Sequence, residues 1–550
     1  MEFVSCHRPD HESVRPTQPL PLRAGGVGLP DASGKTTLRT APLATNPGGT
    51  TAPATAPGRV AASVAKTPTD HRTMKHPNPK YAWSTIARSS PPKRSAGERV
   101  TDFREIYRNF DEAAVRAQAS RCIQCPHPLC MTGCPLQNRI PEWLALAAQG
   151  HFLEAAAVSR STSNMPEICS RVCPQERLCE GACILNCKSE PVAIGAVEKF
   201  INDYAFEHGA VEVYHAHPNG YRVAVIGSGP GGLAVADELA QLGYDVTVFE
   251  SLMIPGGLLV NGIPAFKLEK RIVERRVELL VQRGVKFRLG VKVGWDISLA
   301  HLRQTFDAVF LGVGAQAPKT AGVPGEDRPG VHAALPFLIR KNVDSPLVEL
   351  PEIDVRGKRV AVLGGGDTAM DCLRTALRSG ASEAVCIYRR DLANMPGSRK
   401  EYANALEEGA RFEFLTNPVC IVGGGETGGT GNASPVAAVQ CVRMELGAPD
   451  ASGRRKPRAV PGSEFEVLAD VVLVAYGFDP VPFPKDSDLG ALQTDDWGGL
   501  KVDRHQMTSE PGVFAGGDDV RGPSLVVHAV RDARKAAQGI HHYLSGAGRG

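Results

Sequence analysis

Residues 222–250 read RVAVIGSGPGGLAVADELAQLGYDVTVFE. A short β-branched run leads straight into Gly227-Ser228-Gly229-Pro230, and an apolar helical pattern starts at about Pro230. Gly227, Gly229 and Gly232 complete GxGxxG. The first glycine allows the tight turn, the second lets backbone N–H groups approach a pyrophosphate, and the third lets helix and strand pack closely. Twenty-three residues after Gly227, Glu250 closes the next strand, VTVF. A carboxylate there accepts hydrogen bonds from a ribose diol and repels a 2′-phosphate, so this βαβ unit should take FAD or NAD rather than NADP.

The unit returns 137 residues later as RVAVLGGGDTAMDCLRTALRSGASEAVCIYRR, residues 359–390. Here Gly364, Gly366 and Ala369 form the GxGxxA variant, and Asp367 and Thr368 open the helix. The second strand ends in Arg389 and Arg390 where the first ended in Glu250. Two guanidiniums can clamp a 2′-phosphate through charge-assisted bonds, which selects NADPH over NADH. A solvated surface arginine pair is the plainer alternative. Each unit is matched later by an acid-then-apolar strand ending in glycine, FDAVFLGVGA at 306–315 and ADVVLVAYGFDP at 469–480. Two successive nucleotide-binding domains account for this α/β texture.

Upstream, residues 103–216 alternate cysteine-rich loops with helical patterns such as IPEWLALAAQGHFLEAAAVSR. Residues 1 to about 90 are rich in Pro, Thr, Ala, Gly and Ser without apolar periodicity, which predicts a disordered tail. Its acids Glu2, Asp10 and Glu12 fit an organellar leader poorly, and a start at Met74 would explain it. The 550 residues allow three or four domains. With 62 Lys+Arg against 59 Asp+Glu, the chain offers no electrostatic case for nucleic acid. No apolar run approaches the ~20 residues of a membrane helix, so a cytoplasmic protein is expected.

Nine of the 14 cysteines lie between Cys122 and Cys187. Such clustering in an unsecreted chain favours metal over disulfide. The run Cys122-x2-Cys125-x4-Cys130-x3-Cys134-Pro135 resembles the four-cysteine run of two-cluster ferredoxins, although their spacing has x2 where this one has x4. Cys169, Cys173, Cys179, Cys183 and Cys187 follow at spacings that lack the paired CxxC knuckles of structural zinc. Two 4Fe–4S clusters are the expectation, with zinc and unligated thiols as alternatives.

Several stretches together carry a resemblance: CIQCPHPLCMTGCP, RVCPQERLCEGAC, VIGSGPGGLA, GGLLVNGIPAFKLEK, GGGDTAMDC, YRRDLANMPGSRKE and FAGGDDVRGPSLVVHAVRDARKAA. In order, from about Ser84 to the C-terminus, the chain resembles small (β) subunits of NADPH-dependent glutamate synthase. The wider group includes the amino-terminal half of dihydropyrimidine dehydrogenase and the large subunit of NADPH:ferredoxin transhydrogenase. The resemblance implies interleaved cluster ligands: Cys122, Cys125, Cys130 and Cys183 for one, Cys134, Cys173 and Cys179 for the other. The fourth ligand of the second would be Glu198, with Cys187 and Cys169 as alternatives. For FAD the resemblance adds Gly257, Leu258 and Lys267, then Gly517 and Asp518, with a helix from near Pro523 aimed at the flavin.

The implied architecture is a disordered tail (1–90), an α-helical iron–sulfur domain (91–216), and an FAD domain in two parts (217–340 and 481–550) with the NADPH domain (341–480) inserted. The implied activity passes electrons from NADPH through FAD to the clusters and on to a separate large subunit, which makes glutamate from glutamine and 2-oxoglutarate. An NADPH oxidoreductase serving ferredoxin or another partner is the alternative, and a non-enzymatic cysteine-rich scaffold a third. Hydride transfer needs stacked rings rather than a protein acid or base, so no catalytic residue is expected, and His301, His332 and His528 read as ordinary surface or helix histidines.

Overall fold

The computed structural model describes residues 80–343, 350–424, 434–449 and 455–546. The expected disorder of residues 1–79 lies outside the described residues. Residues 80–90, expected to belong to that tail, instead pack on the helical domain. Ile86 and Ala87 carbonyls accept from Arg121 Nε and Gln118 Nε2 at 3.0 Å each, and Arg88 is paired with Glu180. These contacts depend on partners far along the chain, which local composition does not reveal.

In the helical domain the periodic stretch from Ile140 forms Ile140–Gln149 and Phe152–Ser161. Gly150 separates them at φ +88°, the left-handed geometry that ends a helix at glycine. These two helices pack with Glu112–Ser120 and Ile194–Glu207 around Trp143, Leu144, Phe152, Val197 and Ile201.

Two five-stranded parallel sheets follow. The first runs Val513–Ala515, Ala308–Leu311, Arg222–Ile226, Asp245–Glu250, Lys286–Leu289. The second runs Val331–Ala333, Val471–Val474, Arg359–Leu363, Glu383–Tyr388, Arg411–Phe414. In both, the strand before the glycine turn is central and its βαβ partner lies beside it, the order of a mononucleotide-binding half. The near-continuous apolar strands are buried because both faces are covered, in the second sheet by helices on one side and by the antiparallel strands Thr416–Gly423 and Val436–Pro449 on the other.

The first sheet draws its edge strand from residues 513–515, after the whole second sheet has been completed. Val331 pairs with Val472, so the second sheet begins upstream of position 341, where the sequence placed the change of domain. A two-stranded ribbon, Ala317–Pro318 against Phe478–Asp479, joins the outgoing and returning connections. Thr416–Gly423, Val436–Pro449 and Arg455–Leu468 form an antiparallel sheet beside the second domain. Met165, Ile168 and Cys169 of the helical domain share one buried core with Leu233, Val248 and Val530.

Candidate functional site

At the first turn Gly227 has φ +91°, and a Cβ on Gly232 would stand 1.9 Å from the Gly227 carbonyl oxygen. A side chain at Gly229 would meet nothing within 4 Å, so this backbone is open to an approaching phosphate. The helix Pro230–Gln241 starts there. Glu250 is buried and turned onto the loop: one carboxylate oxygen accepts from Ser228 N at 2.9 Å and Ser228 Oγ at 2.6 Å, the other from Leu252 N at 2.9 Å. Ser228 Oγ in turn accepts from Gly256 N at 2.9 Å. Gly257 follows at φ +53°, where a Cβ would lie 2.7 Å from Gly229 Cα, and Leu258 begins a short helix.

Near the C-terminus, Gly517 (φ +101°) precedes Asp518, whose carboxylate accepts from Ser524 N at 3.1 Å; burial pushes its carboxyl up to about 7. The long final helix is Val526–Leu544, starting three residues beyond Pro523, because residues 518–524 are used in a short helix and this turn. Lys267 reaches out of the first nucleotide domain to Asp371 of the second, 2.9 Å away.

At the second turn Gly364 has φ +135°, Gly366 is open, and Ala369 is fully buried with room for its methyl. The helix Asp367–Arg378 begins on Asp367, with Thr368 in its first turn. Asp367 accepts from Ser398 N at 2.9 Å. Arg389 is exposed and Arg390 half-buried just beyond Tyr388, and neither is ion-paired among the described residues. Arg390 lies against the Tyr388 hydroxyl, and among the described residues no carboxylate neutralises either guanidinium, which leaves their charge for a phosphate.

The cysteines fall into two groups. Cys122, Cys125, Cys130 and Cys183 line one small apolar-walled cavity with Leu144, Ile184 and Val192. Burial pushes Cys122 up to about 11 and Cys130 up to about 12, and the facing thiols add to both shifts. In the second group burial raises Cys134 to about 11, with Glu198 and Cys169 adding to it. Cys173 is lifted first by its hydrogen bond with Cys169, and Cys179 by burial with Glu198 and Cys134 nearby. Glu198 itself is pushed up to about 8 by burial and accepts from Asn138 Nδ2 and Ser159 Oγ, each at 3.2 Å. Cys169 is buried against this group, whereas Cys187 is exposed.

Thiols this crowded and desolvated oppose thiolate formation in the protein alone. The positive charge of bound iron reverses that balance, so the donor set fits iron–sulfur clusters. Among the described residues no three His, Cys, Asp or Glu groups close on one point as a single-ion site. Sequence reading did not single out Asn138 or Ser159, which belong to no spaced motif, and gave no role to Asp371 although it lies in GGGDTAMDC. Of the histidines, His301 is exposed, His528 shares a 2.7 Å hydrogen bond with Ser524 Oγ, and burial lowers the pKa of His332.

A cleft of about 550 Å³ lies where the helical domain, residues 88–107, Phe266–Lys267 and Arg399–Glu401 meet. Lys400 stands 4.1 Å from the Tyr107 ring centroid in its wall. Among the described residues no helix is long and apolar enough to cross a membrane.

Residues 99–210 match the family "dihydropyrimidine dehydrogenase domain II, 4Fe-4S cluster", and residues 221–533 match "pyridine nucleotide-disulphide oxidoreductase". Mycobacterium tuberculosis FprA in complex with NADPH shares the fold, with a TM-score of 0.51 at 24% identity over 60% of this chain and 86% of that one. The glutamate synthase (NADPH) small chain of Escherichia coli is 46% identical over 473 residues, covering 84% of this chain and 98% of its own. That of Azospirillum brasilense is 48% identical over 465 residues, covering 83% and 95%. With both glycine turns and both cysteine groups inside the matched region, and nearly the whole length of these relatives covered, the chain belongs to the glutamate synthase (NADPH) small-chain family.

Proposed function

We propose that the chain is the NADPH-oxidising electron-transfer subunit of a cytoplasmic glutamate synthase, working with a large subunit that forms glutamate from glutamine and 2-oxoglutarate. One observation carries the reading: two glycine turns of opposite charge character and two groups of half-buried thiols are held in one packed unit. When bound, NADPH, FAD and the clusters supply hydride donation, its conversion to single electrons, and onward conduction.

The chain's own residues bind, orient and exclude water. The first turn offers the open backbone at Gly229 to the FAD pyrophosphate, with Glu250 placed for the ribose and Asp518 for the polyol chain. The second turn offers Gly366 and the helix beginning at Asp367, with Arg389 and Arg390 for the 2′-phosphate. Cys122, Cys125, Cys130 and Cys183 would hold one cluster. Cys134, Cys173 and Cys179 with Glu198 would hold the other, and Cys169 is the second candidate for its fourth position because it lies against Cys173.

Anaerobic titration of the purified holoprotein tests the first half of this reading. NADPH should bleach the flavin absorbance, and NADH at the same concentration should do so far more slowly. Equal rates with both would remove the assigned role of the arginine pair.

A further inference from the structure

The helix Asp367–Arg378, which opens at the second glycine turn, reaches toward both of its neighbours with carboxylates one helical turn apart. Asp367 accepts from Ser398 N; Asp371, four residues on, accepts from Lys267 Nζ at 2.9 and 3.2 Å. Lys267 ends the segment 256–267, which starts against the first turn, where Gly257 leaves no room for a Cβ over Gly229. The side chains of this pair are 11% and 8% exposed, so the contact is desolvated. Burial works against the charge on Lys267, but the carboxylates of Asp371, Glu401 and Asp367 outweigh it and hold the ammonium above its ordinary value.

The adjacent Phe266 is gripped by the same helix. It is fully buried, with the guanidiniums of Arg374 and Arg378 at 4.2 and 4.1 Å from its ring centroid. Both arginines are fixed by Glu408, which also pairs with Arg99. One helix of the second nucleotide domain therefore holds the flavin-side segment of the first through an ion pair and two stacked cations. The same segment is also met by Asn342 of the second domain, whose Nδ2 donates to the carbonyls of Asn261 and Gly262 at 3.1 and 3.0 Å, and the two sheets are further joined by connecting chain and the short ribbon Ala317–Pro318/Phe478–Asp479.

Resting on the reading that NADPH reduces FAD in this chain, we propose that Asp371 is a positioning residue for hydride transfer. Acting through Lys267, it fixes the segment 256–267 against the helix of the second turn and so keeps the two turns at one separation. Hydride transfer requires reacting atoms about 3–3.5 Å apart, and a displacement near 1 Å costs about a hundredfold in rate. A buried ion pair suits this role because its geometry is defined at both ends, whatever its net contribution to stability.

The test is Asp371→Asn in the holoprotein, read three ways. Flavin reduction at saturating NADPH should slow about tenfold or more, NADP+ affinity measured by calorimetry should stay within about threefold, and amide exchange across residues 257–267 should accelerate. Asp371→Glu, which restores the charge, should recover most of the rate. If Asp371→Asn loses its flavin, Lys267→Gln is judged by the same three readouts. Unchanged reduction with unchanged exchange overturns the proposal, as does a loss of NADP+ affinity equal to the loss of rate, which would make Asp371 a binding residue. If the unaltered holoprotein is not reduced by NADPH, the functional reading fails instead, and the exchange measurement still tests the latch.

Discussion

Glu176, in the one-turn helix Gln175–Arg177 between Cys173 and Cys179, accepts hydrogen bonds from Ser398 Oγ at 2.8 Å and Arg399 N at 3.1 Å. An acid of the helical domain thus caps a helix of the second nucleotide domain, Arg399–Glu407, satisfying an N–H that the helix itself leaves free. The two domains are tied together beside the cleft that Glu176 and Arg399 both line.

Glu176→Ala should therefore loosen that helix end by about 0.5–1 kcal/mol, the lower part of the range for lost N-caps because the site is partly wet. Hydrogen exchange should accelerate at residues 399–402 while the thiol groups are untouched. Exchange equal to that of the unaltered chain would show that the contact contributes nothing in solution.

The Arg389→Ala/Arg390→Ala variant should lose charge-assisted bonds of about 1.5–3 kcal/mol, roughly a tenfold to hundredfold fall in NADPH affinity. NADH use and FAD content should not change. Calorimetry with NADP+ and NAD+ checks this, and a parallel loss of both would locate the effect elsewhere.

Iron and sulfide analysis of anaerobically purified protein should give about eight of each per chain. Cys122→Ala and Cys134→Ala should remove different clusters, distinguishable by paramagnetic resonance of the reduced protein. At the fourth position of the second cluster, Glu198→Ala should alter that cluster's signal and Cys169→Ser should leave it unchanged; the reverse result would transfer the ligand role to Cys169.

Glu408 should govern acid stability. Burial opposes its charge, yet hydrogen bonds from Arg378 and Arg374 hold its carboxyl down at about 2. A folded value below that of the unfolded chain stabilises the fold above pH about 4.5, and this contribution is lost as the pH falls from there toward about 2. Glu408→Gln should cost about 3–5 kcal/mol at neutral pH by stranding buried guanidiniums, and should flatten the acid limb of the unfolding profile.

The two glycine turns were readable in the sequence because backbone geometry imposes them: Gly227 and Gly364 need positive φ, and Gly232 has no space for a side chain. The insertion of one nucleotide domain in another followed from the family resemblance, not from periodicity, since nothing local to residues 513–515 announces that they pair with Ala308–Leu311. Cys183 joining Cys122 was likewise invisible to spacing, for the approach is made by the fold. Lys267 was expected at the flavin, and its partner Asp371 stood inside GGGDTAMDC with no role attached to it. Its meaning appears only when the two domains are packed.

Electron delivery to a large subunit is the central claim, and coupled turnover tests it most directly. The purified chain, assembled with the large subunit, should oxidise NADPH only when glutamine and 2-oxoglutarate are both present, forming two glutamates per NADPH. Assembly without glutamine-dependent NADPH oxidation, in a preparation that still reduces an artificial dye, would contradict the account.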